Sequence, residues 1–298
     1  MRKLIASALL VGLGVFAQAQ QRPAITGIAY VRMYAADANA SRSFYADTLG
    51  FEHKDMAGTA IYPISPSQWL EVRPMPQPTP RSKVAGVAFT TRDAARLERY
   101  IRAQGVAITE PLHDGEFGVS DPEGNLILFV QGGAGQRAKR ITSAISAHAT
   151  SHRIIHAGFV VQDRAAEDKF YLGLLGFKPY WHGGQTDDRT DYVSLQVPEG
   201  TDWIEYMLNN PNPNARQLGV MNHFSLGVAH MDDAVQALAR NHCAGPNCTK
   251  AQMGRDGKEQ LNLFDPDFTR VEFMEFTPRQ TPCCSPFTGK QPSEVEDR

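Results

Sequence analysis

The chain has 298 residues, with 30 Lys and Arg residues against 32 Asp and Glu residues and a formal net charge of -2. Hydrophobic residues make up 42% and charged residues 21%, a composition that is typical of soluble globular proteins and excludes collagen-like structure, wholesale disorder and a membrane protein with several spans. The length allows two domains, and the near-neutral charge without a basic run predicts no nucleic-acid partner.

Residues 1–19 are predicted to be a signal peptide. Arg2 and Lys3 form a positive start, an apolar stretch runs from residue 4 to residue 16, and Ala-Gln-Ala at 17–19 has the small-x-small pattern of a cleavage site. The apolar stretch is shorter than the roughly 20 residues that cross a bilayer. We therefore expect an exported protein, periplasmic or secreted, with no membrane attachment after cleavage.

An internal repeat begins after this segment. Residues 25–51 and 153–177 both contain an alternating apolar strand, an Asp, a helical pattern, a Phe-Tyr pair and a Leu-Gly-Phe exit. In the first copy Tyr45 of that pair follows the strand residue Tyr30 by 15 positions. In the second copy Tyr171 follows the strand residue His156 by the same 15 positions. Position 30 therefore corresponds to position 156.

Each copy is followed by a weaker version of the same pattern. An apolar strand leads to an amphipathic helix and then through an Asp-Pro turn to a final strand, in residues 84–131 and again in residues 221–276. The sequence thus predicts four βαβββ-like units. They form a first half, predicted at residues 24–131, and a second half, predicted at residues 153–277. A linker at residues 132–152 joins the halves, and residues 278–298 are predicted to be a loose C-terminal tail.

The second half has ligand-type side chains at all four matched strand positions, namely His156, Glu205, His223 and Glu272. Two imidazoles and two carboxylates form a mixed nitrogen and oxygen ligand set that suits Zn, Fe(II), Ni, Mn or Co. The first half has a phenol, one carboxylate and two non-ligands at the same positions, namely Tyr30, Glu71, Gly86 and Leu128. We therefore expect one divalent transition metal per chain, bound in the second half, and a metal-free first half.

This pattern resembles the vicinal oxygen chelate superfamily, which includes glyoxalases, bleomycin-resistance proteins and extradiol dioxygenases. The resemblance is carried by ITGIAYV and RIIHAGF at the first strands, FYADTLGF and FYLGLLGF at the helix ends, and SDPEGNLILFVQ and FDPDFTRVEFMEF at the last strands. It implies an α+β fold in which four βαβββ units pair into two glyoxalase-like open-barrel halves. It also places the four polar residues of the second half on the family's metal-ligand sites.

Four protein ligands leave two adjacent positions of a six-coordinate ion for two neighbouring substrate oxygens. The leading hypothesis is an exported, metal-dependent, glyoxalase-like lyase or isomerase that acts on a small oxygenated substrate, with Glu205 and Glu272 as catalytic residues that carry protons. An Fe(II) extradiol-type dioxygenase is one alternative, since it needs only two histidines and one carboxylate. A non-enzymatic binding or resistance protein is another, favoured by the ligand-poor first half. The sequence leaves the metal, the substrate and a homodimer open.

The chain has four cysteines, Cys243, Cys248, Cys283 and Cys284. Export would place them in an oxidising compartment, which favours disulfides over a zinc site, because adjacent cysteines make a poor tetrahedral ligand set. Three pairings are possible. A loop clip from Cys243 to Cys248 is the simplest, and cross-pairing with the tail stays open. We expect no free thiol in the oxidised protein.

Overall fold

The structure is a computed structural model that describes residues 21–132, 141 and 145–295. The predicted signal peptide lies outside the described residues, and so does a large part of the predicted linker. Within the described part of the chain, no helix is both long enough and apolar enough to cross a membrane.

The first half contains two βαβββ units. The first unit consists of β1 (Ile25–Ala35), α1 (Ala38–Arg42) with a π-helical continuation (Ser43–Thr48), β2 (Lys54–Met56), β3 (Thr59–Pro63) and β4 (Trp69–Pro74). The second unit consists of β5 (Val84–Thr91), α2 (Ala94–Ala103), β6 (Ile108–His113), β7 (Glu116–Ser120) and β8 (Leu126–Gln131). Hydrogen bonds join these strands in the order β2-β3-β4-β1-β5-β8-β7-β6.

The second half repeats this arrangement. Its first unit consists of β9 (Ile154–Val160), α3 (Arg164–Asp168) with a π-helical continuation (Lys169–Leu174), β10 (Lys178–Gly183), β11 (Tyr192–Gln196) and β12 (Trp203–Met207). After an inserted helix α4 (Ala215–Met221), the second unit consists of β13 (His223–Val228), α5 (Met231–Arg240), a 3₁₀ turn (Pro246–Cys248), β14 (Gln252–Met253), β15 (Glu259–Phe264) and β16 (Arg270–Glu275). The strand order is β10-β11-β12-β9-β13-β16-β15-β14.

The predicted α+β fold is confirmed: four βαβββ units form two mixed eight-stranded sheets, one in each half. In each half the first strands of the two units lie side by side and antiparallel, as β1 with β5 and β9 with β13. The last strand of each unit runs parallel to its first strand. The four strands at the centre of each sheet are therefore the ones that carry the four matched positions.

Helix ends follow the chemistry that the sequence indicates. The Asp37 side chain accepts hydrogen bonds from the first backbone N–H groups of α1, and Asp163 does the same for α3. After each π-helical continuation the chain turns at a glycine with a left-handed backbone, Gly50 at φ 73° and Gly176 at φ 72°. Glycine adopts this conformation without a steric penalty, so the glycine of the Leu-Gly-Phe exit ends the helix in both repeats.

The two halves exchange matched hydrogen bonds where β1 and β9 approach each other. The Gln68 amide reaches across to Ile154, accepting from its N–H at 2.8 Å and donating to its carbonyl oxygen at 2.9 Å. In the opposite direction, Asp202 accepts from the Ile28 N–H at 2.8 Å. Backbone groups at both positions are thus satisfied by a side chain of the other half.

A second pair of matched contacts also joins the two halves. The buried Tyr45 hydroxyl donates to Asp265 at 2.9 Å, and the buried Tyr171 hydroxyl donates to Asp121 at 3.1 Å. Each tyrosine belongs to the Phe-Tyr pair of its repeat, and each aspartate belongs to the Asp-Pro turn of the other half. The repeat in the sequence therefore corresponds to a repeated contact between the halves.

The C-terminal segment differs from the loose tail that the sequence predicts. The Thr288 N–H donates to the Tyr180 carbonyl oxygen at 3.0 Å, the Phe287 ring lies 4.8 Å from the Tyr180 ring, and the Ser293 carbonyl oxygen accepts from Arg153 at 3.1 Å. The described residues of this segment, 278–295, form no helix or strand, so no periodic pattern marks them. Its order comes from tertiary contacts with the second half.

All four cysteines are paired. Disulfides join Cys243 with Cys248 and Cys283 with Cys284, and no cysteine is free. The simplest of the expected pairings is the observed one. The cross-pairing between the loop and the tail does not occur.

Candidate metal centre

The predicted ligands of the second half lie on four adjacent strands in the order β12, β9, β13 and β16, and they are Glu205, His156, His223 and Glu272. Gly158 on β9 pairs in register with Glu205 on one side and with His223 on the other. Ser225 on β13 pairs with His156 on one side and with Glu272 on the other. Residues in register point to the same face of a sheet, so all four side chains project into one concave surface.

Their ligand atoms converge at the centre of that surface. His156 Nε2 lies 3.0 Å from His223 Nε2 and 3.1 Å from Glu272 Oε2. His223 Nε2 lies 3.8 Å from Glu272 Oε2 and 3.6 Å from Glu205 Oε2. Glu205 is the most accessible of the four, with 13% of its side chain exposed. Residues as far apart in the sequence as His156 and Glu272, which are 116 positions apart, thus meet at one site.

These separations fit one bound transition-metal ion. Ligand atoms at about 2.1 Å from a metal lie about 3.0 Å apart at neighbouring octahedral positions and about 3.4 Å apart at tetrahedral positions. Four of the six separations among these atoms, 3.0 to 3.8 Å, lie close to these values. The ligand atoms of His156, Glu205 and His223 all lie within 4.8 Å of one another, a group that does not include Glu272. Two buried imidazole nitrogens that face each other are also suited to a shared cation. The residues present therefore match the expected divalent metal.

A hydrogen bond fixes the tautomer of His223, and ring stacking orients His156. His223 Nδ1 donates to the Met221 carbonyl oxygen at 2.7 Å, which leaves the Nε2 lone pair directed at the centre. The His156 ring stacks on Trp203, with ring centroids 4.7 Å apart. Burial lowers the pKa of His156, and burial together with the Arg270 charge lowers the pKa of His223 well below its usual value. Both imidazoles are therefore neutral at neutral pH.

The two carboxylates have opposite electrostatic properties. Burial, with the nearby charge of Glu272, raises the pKa of Glu205 to about 8. Burial acts in the same direction on Glu272, but the Arg270 guanidinium and the neighbouring His156 outweigh it and lower the pKa of Glu272 to about 2. Glu272 is therefore a permanent anion, whereas Glu205 can exchange a proton near neutral pH. A bound cation would lower the pKa of Glu205 from this value.

Arg270 is the residue of this site that the sequence analysis missed. Its Nη2 lies 2.9 Å from His223 Nε2, and its Nη1 lies 3.8 Å from Glu272 Oε1. Arg270 stands two residues before Glu272 on β16, and side chains two residues apart on a strand share a face. That spacing was the available signal, and it places a positive charge at the edge of the metal centre.

The first half has an ion-pair network at the corresponding place. Arg32, which matches Gly158, is 2% exposed, and its Nε donates to Glu71 Oε2 at 3.0 Å. Its Nη2 lies 3.4 Å from Glu116 Oε1 and donates to the Tyr30 hydroxyl at 2.8 Å. A guanidinium thus engages the single matched carboxylate of this half. The donor set does not suit a divalent ion, which is consistent with the prediction of a metal-free first half.

Comparison with protein families identifies a relationship for both halves. The model of the Glyoxalase/Bleomycin resistance protein/Dioxygenase superfamily matches residues 27–129 and residues 153–273. Each match covers nearly all of one predicted half. Among curated proteins, none is similar enough in sequence to count as a relative.

Solved structures with a similar fold include enzymes of two kinds. Homoprotocatechuate 2,3-dioxygenase from Brevibacterium fuscum, in an anaerobic complex with 3,4-dihydroxyphenylacetate, is 20% identical, with a TM-score of 0.65 over 91% of this chain and 84% of that chain. The enzyme of the same name from Arthrobacter globiformis is 20% identical, with a TM-score of 0.63 over 85% and 80%. The Mn(II)-bound glyoxalase from Novosphingobium aromaticivorans is 17% identical, with a TM-score of 0.63 over 85% and 83%. At these identities the likeness concerns the fold.

Proposed function

The chain belongs to the Glyoxalase/Bleomycin resistance protein/Dioxygenase superfamily, and on that basis we propose that it is an exported, metal-dependent, glyoxalase-like lyase or isomerase. Its active site is the centre in the second half, and its substrate is a small molecule that offers two neighbouring oxygens. The observation that carries the proposal is the convergence of four ligand atoms that include two carboxylates of opposite electrostatic character, Glu205 and Glu272.

The metal would be held by His156, His223, Glu272 and Glu205. When bound, a divalent ion acts as a Lewis acid on chelated substrate oxygens and makes an adjacent C–H or O–H group more acidic. The protein supports this chemistry in two ways. The Met221 carbonyl and the Trp203 ring fix the orientation of the two imidazoles, and burial of His156, His223 and Glu272 keeps bulk water away from these ligands.

Glu205 is the proton carrier in this proposal. Its Oε2 takes a proton from a substrate carbon and returns it to a neighbouring atom, so that the proton is conserved over the cycle and no external acid or base is consumed. Two observations support this role over Glu272. Glu205 is the more exposed of the two. Without a metal, burial and Glu272 raise the pKa of Glu205, whereas Arg270 and His156 lower that of Glu272. Glu272 stays ionised and would hold the metal.

The substitution Glu205→Gln tests this function. An amide oxygen still coordinates a metal but does not accept a proton near neutral pH. We expect the variant to retain its metal and to lose about 100-fold or more in kcat, a typical effect of removing a general base. Turnover of small hydroxycarbonyl compounds and catechols should be measured with and without oxygen. A reaction that requires O₂ and tolerates Glu205→Gln would contradict a lyase or isomerase.

An Fe(II) extradiol-type dioxygenase is the second candidate, and a specific observation favours it. His156, His223 and Glu272 alone form a compact triangle of two histidines and one carboxylate, with edges of 3.0, 3.1 and 3.8 Å, which is the ligand set of many non-haem Fe(II) oxygenases. Two dioxygenases are also among the solved structures of similar fold. In this case Glu205 lies outside the essential ligands, and turnover depends on both Fe(II) and O₂.

A further inference from the structure

Arg270 is incompletely paired although most of its side chain is buried. Only 14% of the side chain is exposed, and its Nε is buried without a hydrogen-bond partner among the described residues. Its nearest approach to the Glu272 carboxylate is 3.8 Å, which is beyond hydrogen-bond distance. The acceptor that it does contact is His223 Nε2, at 2.9 Å.

Arg32 in the first half shows how this fold normally satisfies such a group. The Arg32 guanidinium contacts Glu71, Glu116 and the Tyr30 hydroxyl at hydrogen-bond distances. A buried guanidinium is costly unless its donors are paired, and Arg32 meets that requirement within the chain. Arg270 does not. Its one close acceptor is the lone pair that a metal bound to His223 would use, so the metal-loaded centre leaves Arg270 in need of another acceptor.

Other polar atoms on the same concave surface also lack partners. Ser225 Oγ, Asn262 Oδ1 and Lys258 Nζ are buried and have no hydrogen bond among the described residues. Ser225 lies in register between His156 and Glu272, and Asn262 lies opposite Glu272. Buried polar groups in native proteins are nearly always paired. A cluster of unpaired groups around the metal centre therefore indicates a polar ligand.

The sign of the charge on that ligand follows from the same residues. Lys258 is fully buried, and its Nζ lies 4.9 Å from the Trp203 ring, which stacks on His156. Lys258 and Arg270 thus place two basic side chains on the concave surface in addition to the metal. A planar guanidinium fork matches a carboxylate, and such charge-assisted pairs are strong when buried. With a bound divalent ion, four positive charges (two from the ion, one each from Arg270 and Lys258) face three negative ones from Glu205, Glu272 and Asp256, whose charge acts on Lys258. This excess of one positive charge favours an anionic ligand.

We propose that Arg270 binds a carboxylate group of the substrate, next to the two oxygens that chelate the metal. This inference rests on the proposed function and specifies its substrate class: a small carboxylate with two further neighbouring oxygens. Because the Arg270 guanidinium lies 2.9 Å from a metal-binding atom of His223, the carboxylate must stand beside the chelating oxygens. A carboxylate at the far end of the molecule does not reach it.

Three related chelators test this inference in the full mature chain loaded with Zn(II), which has no redox chemistry of its own. They are catechol, 2,3-dihydroxybenzoate, whose carboxylate lies beside a chelating oxygen, and 3,4-dihydroxybenzoate, whose carboxylate lies away from it. Isothermal titration should show 2,3-dihydroxybenzoate binding about tenfold or more tighter than catechol, the effect of one charged hydrogen-bond pair. The 3,4 isomer should resemble catechol.

The variants complete the test. Arg270→Gln should remove the preference for 2,3-dihydroxybenzoate and leave the affinity for catechol within a few-fold. Arg270→Lys should keep part of the preference, because it keeps the charge but not the planar fork. Arg164→Gln is the matched control, since Arg164 lies on α3 with half of its side chain exposed, and it should bind all three compounds like the parent protein.

Two results would overturn the inference, and they differ in what they say about the proposed function. Equal affinities for catechol and 2,3-dihydroxybenzoate in the parent protein, or a preference that persists in Arg270→Gln, would remove the role of Arg270 while the metal centre stands. Failure of the parent protein to retain Zn(II), or of the Zn(II)-loaded protein to bind catechol, would remove the proposed function and the inference with it. Metal content measured on every sample separates the two cases.

Discussion

Gly158 lies directly beneath the imidazole of His223: a Cβ atom added to Gly158 would lie 2.2 Å from His223 Cε1. The two residues pair in register across β9 and β13. In the first half the corresponding pair is Arg32 with Gly86, across β1 and β5. In the second half the large side chain, the His223 imidazole, is on β13 and faces a glycine on β9. In the first half the large side chain, the Arg32 guanidinium, is on β1 and faces a glycine on β5.

Gly158→Ala should displace His223 from the centre. We expect the variant to lose most of its metal affinity and about 1–3 kcal/mol of its free energy of unfolding, the usual cost of overpacking a buried site. Gly173→Ala is the control, because the nearest atom to its added Cβ is 4.0 Å away. Metal content and denaturant unfolding measure both effects. A Gly158→Ala protein with the metal content of the parent would contradict this account of the site.

The mature chain should bind about one transition-metal ion. His156→Ala and His223→Ala should each abolish its retention, because each removes a central nitrogen ligand. Glu71→Gln should retain it, since the Glu71 carboxylate is engaged by Arg32 in the other half. Elemental analysis after dialysis measures the ratio of metal to protein. Two ions per chain, or a loss of metal in Glu71→Gln, would show that the first half also binds metal.

Arg270→Gln should bind divalent metal more tightly than the parent protein. The Arg270 guanidinium lies 2.9 Å from His223 Nε2, so it would repel a cation bound to that nitrogen. The repulsion between two like charges a few ångströms apart near a protein surface is on the order of a few kcal/mol. Because the side chain can move, we expect a gain of about tenfold in affinity. Competition with a chromogenic chelator measures it, with Arg164→Gln as the control. Unchanged or weaker binding would mean that Arg270 supports the ligands instead of competing with the metal.

Glu167→Gln should stabilise the protein increasingly as pH rises. Glu167 accepts a hydrogen bond from the Glu123 N–H at 2.9 Å, and its other carboxylate oxygen has no partner in the described part of the chain. Burial, followed by the Asp121 charge, raises the pKa of Glu167 from 4.5 to about 8. The folded state therefore retains a proton that the unfolded state releases, and the parent protein loses stability as pH rises through this interval. Gln pays no such penalty.

Urea unfolding of the parent protein and Glu167→Gln at pH 5 and pH 8.5 measures this difference. The advantage of the variant in free energy of unfolding should be larger at pH 8.5. Glu98→Gln serves as the control, because Glu98 pairs with Arg102 along the surface of α2. A difference between parent and Glu167→Gln that does not change with pH would show that Glu167 does not titrate in this range.

The oxidised protein should contain no titratable thiol under denaturing conditions, since both cysteine pairs are closed. Replacing Cys243 and Cys248 together by Ser should lower the free energy of unfolding by about 2 kcal/mol, the chain-entropy value for so short a loop. A thiol titration and a denaturant unfolding curve measure the two quantities. Two reactive thiols per chain in the parent protein would contradict the pairing.

The repeat made most of the fold and the four candidate ligands predictable. Hydrophobic alternation sets which face of a strand is buried, so residues at matched positions of matched strands project from the same face. Once Tyr30 and His156 are aligned, the positions of Glu205, His223 and Glu272 follow, and the observed strand register agrees with that alignment. The signal peptide stays a prediction from the sequence.

The sequence by itself determined the four βαβββ units and the residue types at the four matched positions of the second half, because these depend on periodicity and on repeat-matched spacing. The pairing of the units was implied by the family resemblance, and the strand order came from the structure. Only the tertiary structure decided which charges meet at the centre of each half. Arg32 fills the centre of the first half, Arg270 reaches the centre of the second, and the segment around Phe287 packs on Tyr180. Such contacts depend on side-chain reach and on segments without periodic pattern, and neither is encoded in local spacing.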